Sequence, residues 1–110
     1  MREQGGLGEF EQLVLLAVLR LGDDAMAAAI RSEIEVAASR TVSRGALYAT
    51  LERLEGKGFL RWEMEDAVPA RGGVPRRQFQ ATPAGVEALR RTRAAVRALA
   101  RGLERVIGRA

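Results

Sequence analysis

Between Ser43 and Thr82 the spacing of apolar residues changes period, and that change constrains the whole chain. In SRGALYATLERLEGKG, Leu47, Leu51 and Leu54 recur at i, i+4 and i+7, the stripe of a helix that buries one side. Arg44, Tyr48, Glu52 and Glu55 fall on the opposite side, and Ser43 is a good N-cap. Gly58 predicts the left-handed end of that helix, with Gly56 weakening its last turn. From Phe59 to Glu65 the period drops to two: Leu60, Trp62 and Met64 share one face, and Arg61, Glu63 and Glu65 share the other. Residues 66–75, DAVPARGGVP, carry two prolines and a Gly-Gly pair and predict a mobile loop. Arg76 to Ala81 then reads as the returning strand, with Phe79 and Ala81 facing in.

Three helices flank this segment. The first is expected over Glu9–Leu21; its LVLLAVLRL run is apolar on more than one face, so both sides should be covered, one by its own core and one by a second helix. Gly22-Asp23-Asp24 ends it and offers an Asp N-cap to a second helix over 25–38, with Met26, Ile30, Ile34 and Ala37 as its stripe and Arg31, Ser32, Glu33 and Glu35 outward. Arg40-Thr41-Val42 is a short link with room for a small strand. Thr82-Pro83 is an N-cap followed by proline at the first helical position. The helix it starts is expected to run unbroken to Ile107, about 37 Å at the usual rise. Its seam is Val86, Leu89, Val96, Leu103 and Ile107, with Arg93 and Ala100 in the remaining positions. Nothing that follows in this sequence would cover that seam, so the expected partner is a second copy of the chain, with Phe10, Leu13 and Val14 of the first helix completing the interface. The order helix, helix, helix, hairpin, long helix predicts a mainly α winged helix-turn-helix with an added C-terminal dimerisation helix. The expected division is a disordered tail at 1–6, a DNA-binding domain at 7–82 and a dimerisation helix at 83–110.

Charge supports a polyanionic partner. Residues 1–38 hold three arginines against seven acids, a net −4. Residues 39–82 are net +3 and residues 83–110 net +5. Only Lys57 of the 18 basic residues is a lysine, and arginine suits bidentate contacts to phosphate and guanine. The chain has no Cys and no His, which removes thiolate nucleophiles, disulfides, Cys/His metal sites and Ser-His catalysis, and no cofactor is expected. The longest apolar run, Leu13 to Leu19, is too short for a signal peptide or a membrane span, so the expected setting is the cytoplasm, without membrane partners.

The segments LGEFEQLVLLAVLRLGDDA, TVSRGALYATLERLEGKGFL and PARGGVPRRQFQATPAG together resemble the PadR family of bacterial transcriptional regulators, over about Leu7 to Leu89. The strongest part is S-x-G-x-L-Y-x-x-L-x-x-L-E-x-K-G-[FL]-[LI] at Ser43–Leu60, followed by R-G-G-x-x-R-R and T-P-A-G. The length fits the family's short form, with a single C-terminal helix. The resemblance implies a dimeric repressor whose third helix enters the major groove, whose hairpin reaches the flanking backbone, and whose last helix pairs with the first and last helices of the other subunit. Two departures stand out. Met26-Ala27 replaces the family's usual Tyr-Gly pair, which bears on how the second helix packs and on any hydroxyl contact there, and Gln78-Phe79 replaces an aromatic pair on the returning strand. Some relatives hold flat aromatic drugs between tryptophans at the dimer centre; the last helix here has no aromatic residue, so that mode is not expected.

The expected DNA contacts are Ser43, Arg44, Gly45, Tyr48, Ala49 and Arg53 on the third helix, and Arg71, Arg76 and Arg77 on the wing. Arg44 would meet guanine or phosphate, Gly45 and Ala49 would allow close approach, and Tyr48 would donate its hydroxyl to phosphate. Arg53 has a competing reading as an ion pair with Glu52 or Glu55, and Trp62 reads as core beside Leu60 and Met64. The helix pattern alone also fits an ordinary solvated face; the adjacent basic wing tips the balance towards DNA. Glu63, Glu65 and Asp66 read as a solvated strand edge rather than a carboxylate site, and the arginines of the last helix as its outer face. Three rivals remain: a winged helix used for protein interaction, a regulator sensing an unidentified small-molecule effector in an apolar pocket between the first and last helices, and an enzyme, which lacks a catalytic constellation.

Overall fold

A computed structural model describes residues 6–65 and 74–109. In order, the elements are α1 (Glu9–Leu21), a 3-10 turn (Gly22–Asp24), α2 (Ala27–Ala38), α3 (Arg44–Gly56), β1 (Leu60–Met64), β2 (Arg77–Ala81), α4 (Pro83–Ala100) and α5 (Glu104–Ile107). The strands form a two-stranded antiparallel hairpin in the register Leu60↔Ala81, Trp62↔Phe79 and Met64↔Arg77.

The core is one cluster. Val14, Leu15 and Val18 of α1 meet Ile30 and Ile34 of α2, Leu47, Leu51 and Leu54 of α3, Phe59 and Leu60, Phe79, and Ala88 and Leu89 of α4. The three leucines of α3 are at most 2% exposed, as the i, i+4, i+7 stripe requires. Ser43 caps α3, its Oγ accepting the Ala46 N–H at 3.0 Å, and Gly58 adopts φ 79°. Thr82 caps α4, its Oγ1 accepting the Gly85 N–H at 3.0 Å and donating to the Gly58 carbonyl at 2.7 Å. Gly85 lies directly on the backbone of Phe59. The K-G-F and T-P-A-G motifs are therefore two halves of one joint, tying the end of α3 to the start of α4.

Several expectations are corrected. The second helix starts at Ala27, and its N-cap is Met26, with no side-chain bond; the Asp residues sit in the preceding 3-10 turn. Ala37 is exposed, leaving Ile30 and Ile34 as the buried stripe of α2. No strand forms at 40–42. Instead Glu35 accepts the Val42 N–H at 2.8 Å, and Arg31 donates to the Val42 carbonyl at 2.7 Å. Side chains expected to point outward thus satisfy the link's backbone. The last helix stops at Ala100: Gly102 takes φ 85° and a short α5 follows. Arg93, Arg97, Arg101 and Arg109 of this region line an open groove at that elbow with Val96 and Ile107, and all four remain exposed. Of the expected tail at 1–6, residues 1–5 lie outside the described residues; Leu7, the first residue of the expected domain, is buried and its N–H reaches Thr92 Oγ1 at 3.2 Å.

The expected dimer residues divide. Val14 is fully buried and Leu89 is 5% exposed, so both belong to the subunit's own core. Phe10, Leu13 and Val86 are half-buried, whereas Val96, Leu103 and Ile107 are exposed. Leu16 and Leu19 of α1, Leu99 of α4 and Val106 of α5 are exposed apolar residues that the seam omitted. Among the described residues no helix is long and apolar enough to cross a membrane.

Candidate nucleic-acid interface

The outer side of α3 carries Arg44, Gly45, Tyr48, Ala49 and Glu52, all exposed. Each follows from the buried stripe: with Leu47, Leu51 and Leu54 turned into the core, a 3.6-residue period leaves these positions outward. Arg44 sits over the Tyr48 ring, 6.0 Å from guanidinium carbon to centroid. Gly45 has open space where a Cβ would lie. A groove runs from this helix to the hairpin, lined by Met26, Ala27, Tyr48, Glu52, Met64, Arg76, Arg77 and Phe79. The Met26-Ala27 pair thus borders this groove, and Ala27 also packs against the core.

The wing is built from paired side chains. Arg76 Nε meets Glu65 Oε2 at 2.8 Å. The Arg77 guanidinium lies over the Trp62 ring, 4.3 Å from its centroid. The indole N–H donates to Glu55 Oε2 at 3.1 Å. This chain runs from Glu55 on α3 through Trp62 on β1 to Arg77 on β2, and it fixes the hairpin's angle to the helix. Trp62 is accordingly half-buried at the edge of the core, which it packs against, and Met64, the third member of its face, is 58% exposed. Arg71 and its Gly-Gly neighbours lie outside the described residues.

Two expected contacts are already engaged. Ser43 Oγ caps α3. Arg53 pairs with neither Glu52 nor Glu55: its Nε reaches Glu11 Oε2 at 3.2 Å and its Nη2 reaches Thr50 Oγ1 at 3.2 Å. Lys57 Nζ also meets Glu11, at 2.9 Å. Glu11 is a polar residue with a buried side chain, and its other oxygen accepts the Gly8 N–H at 2.9 Å. Burial by itself would raise this carboxyl's pKa; the hydrogen bonds from Lys57 and Gly8, the Lys57 charge and the Arg53 bond outweigh it, so the pKa falls below the usual 4.5. Sequence reading missed this residue. The available signal was an acid inside an apolar helix period, with its partners 42 and 46 residues away.

A helix with an open outer face bearing Arg44 and Tyr48, beside an arginine-bearing hairpin and over a three-helix core, defines a winged helix-turn-helix. The profile of the transcriptional regulator PadR-like family matches residues 15–91, and the chain belongs to that family of DNA-binding transcriptional regulators. Its fold is similar to that of a PadR-like transcription factor from Bacteroides fragilis, with TM-score 0.69, 24% identity and 88% of each chain covered. A PadR family transcriptional regulator from Eggerthella lenta DSM 2243 gives TM-score 0.66 at 24% identity, covering 93% of this chain and 88% of that one. A transcriptional regulator from Clostridium thermocellum gives 0.68 at 15% identity, covering 88% and 91%. No curated protein sequence matches.

Proposed function

We propose that the chain is a homodimeric repressor that binds a pseudo-palindromic operator, with α3 in the major groove and the hairpin on the flanking backbone. The observation that carries this reading is that Tyr48 of α3 and the wing's Arg76 and Arg77 line one open groove, with Arg44 and Gly45 exposed on the same helix beside it. Arg44, Tyr48 and the wing arginines supply phosphate and base contacts, and Gly45 and Ala49 leave room for the duplex. Arg53 is left out of the proposed contacts because both Glu11 and Thr50 hold its guanidinium. The dimer surface is the exposed apolar set Leu16, Leu19, Val96, Leu99, Leu103 and Ile107, together with half-buried Leu13. Residues 7–82 with the first turns of α4 form the reading unit, and the remainder of α4 with α5 forms the pairing unit. Repression follows if the operator overlaps a promoter; a reporter assay with and without the regulator gives the sign.

Selection of bound sequences from a random duplex library tests the reading. It should return two inverted half-sites whose centres lie about one or two helical turns apart. Recovery of no preferred sequence would favour a protein-interaction role. The Arg44→Ala, Tyr48→Ala double variant should bind the selected site at least about tenfold more weakly and keep its oligomeric state, since each side chain is exposed. Unchanged binding in a gel-shift titration would reject the assignment.

The Arg76→Ala, Arg77→Ala variant should lose affinity on all sequences and flatten the dependence of log K on log salt by about 1 for each phosphate contact removed. Loss confined to particular sequences would instead mean that the wing reads bases.

A further inference from the structure

Every other charged group around the recognition groove has a partner. Arg76 is bound to Glu65, Arg77 lies on Trp62, Arg44 sits over Tyr48, and Glu55 accepts the Trp62 indole N–H. Glu52 is the exception among the described residues: it is exposed, one helical turn beyond Tyr48, and it makes no ion pair or hydrogen bond. Its sequence neighbour Arg53 is held by Glu11 on the far side. An unpaired carboxylate thus stands in the groove between Tyr48 and the wing arginines, where it opposes every phosphate that approaches.

We infer that Glu52 is a sequence-selecting residue, its carboxylate accepting a hydrogen bond from the N4 amino group of a cytosine in the major groove. The inference rests on the DNA-binding reading above. An ionised carboxylate is acceptor-only, and the major-groove edge presents two amino donors, on cytosine and adenine. On adenine the amino group sits beside the N7 acceptor, which repels a carboxylate. Cytosine presents its amino group with no acceptor of its own on that edge. Guanine and thymine offer acceptors or a methyl group and are disfavoured. Without the right base, Glu52 is a desolvated charge facing acceptors, so the residue selects mainly by penalising wrong sites.

The test is library selection with the full chain, Glu52→Ala and Glu52→Gln, each checked for an unchanged thermal transition. The native chain should show a cytosine preference of roughly tenfold at one position per half-site. Glu52→Ala should flatten that position alone, and Glu52→Gln should move it towards adenine, which a side-chain amide contacts at N6 and N7. The same base profile in all three proteins overturns the inference. So does a uniform gain in affinity on all sequences in both variants, which would make Glu52 only a repulsive charge. If the native chain itself selects no sequence, the DNA-binding reading fails first and the inference falls with it.

Discussion

Gly85→Ala lowers the stability of the fold by about 3 kcal/mol, in the upper range for overpacking a tight contact. The added methyl would lie well inside van der Waals contact of the Phe59 carbonyl oxygen and 3.1 Å from the Phe59 Cα. These are backbone atoms, so no rotamer change relieves the clash. The same carbonyl accepts the Thr82 N–H at 3.1 Å, and Thr82 Oγ1 holds Gly58, which further restricts movement. Alanine's better helix propensity offsets at most about 1 kcal/mol of this. Thermal unfolding should shift down by roughly 15 °C for a chain of this size. Gly45→Ala is the matched control, with nothing within 4 Å of the added carbon. It should leave the transition unchanged or raise it slightly. Equal behaviour of the two variants would show that α4 does not sit on Phe59 as described.

The second large effect is expected at Glu11. Glu11→Gln keeps an oxygen for the Gly8 N–H but removes the charge that holds Lys57 and Arg53. Both cations reach water, with side chains 35% and 52% exposed, so the loss is well short of a fully buried pair: about 2 kcal/mol at neutral pH. The pH dependence has a definite sign. Because folding lowers the Glu11 pKa, its contribution is present above the ordinary carboxyl value of 4.5 and is lost as pH falls through the lower folded value. Urea midpoints for the native chain should therefore fall as pH drops below about 4.5, and the Gln variant should show a shallower fall. Parallel curves would remove Glu11 from the acid response.

The helices and hairpin were legible because each has an unambiguous period over several residues. The leucines of α3 and the Thr-Pro start of α4 behave as their spacing requires, and the alternation in β1 does so from Leu60 to Trp62 but not at Met64. The start of α2 was not legible, since the alanine run around Met26 carries no phase. The break at Gly102 was hidden by an apolar seam that continues in register across it. Val14 and Leu89 show a deeper ambiguity: an apolar residue's spacing says that it is covered, not by which chain. The exposure of Arg44, Gly45, Tyr48 and Ala49 was readable from the α3 period, while Glu11, Arg53 and the Glu55–Trp62–Arg77 chain depend on contacts that only the folded backbone creates.

The joint between Phe59 and Gly85 also governs what a dimer can do. With Ala88 and Leu89 of α4 buried in the core and Thr82 bonded to Gly58, the first turns of α4 are fixed to the end of α3. In the dimer we propose, two such subunits would form a caliper with a fixed gap. Such a dimer would not stretch to accommodate operators of different half-site spacing, and inserting a few base pairs between half-sites should cost it as much as mutating one of them.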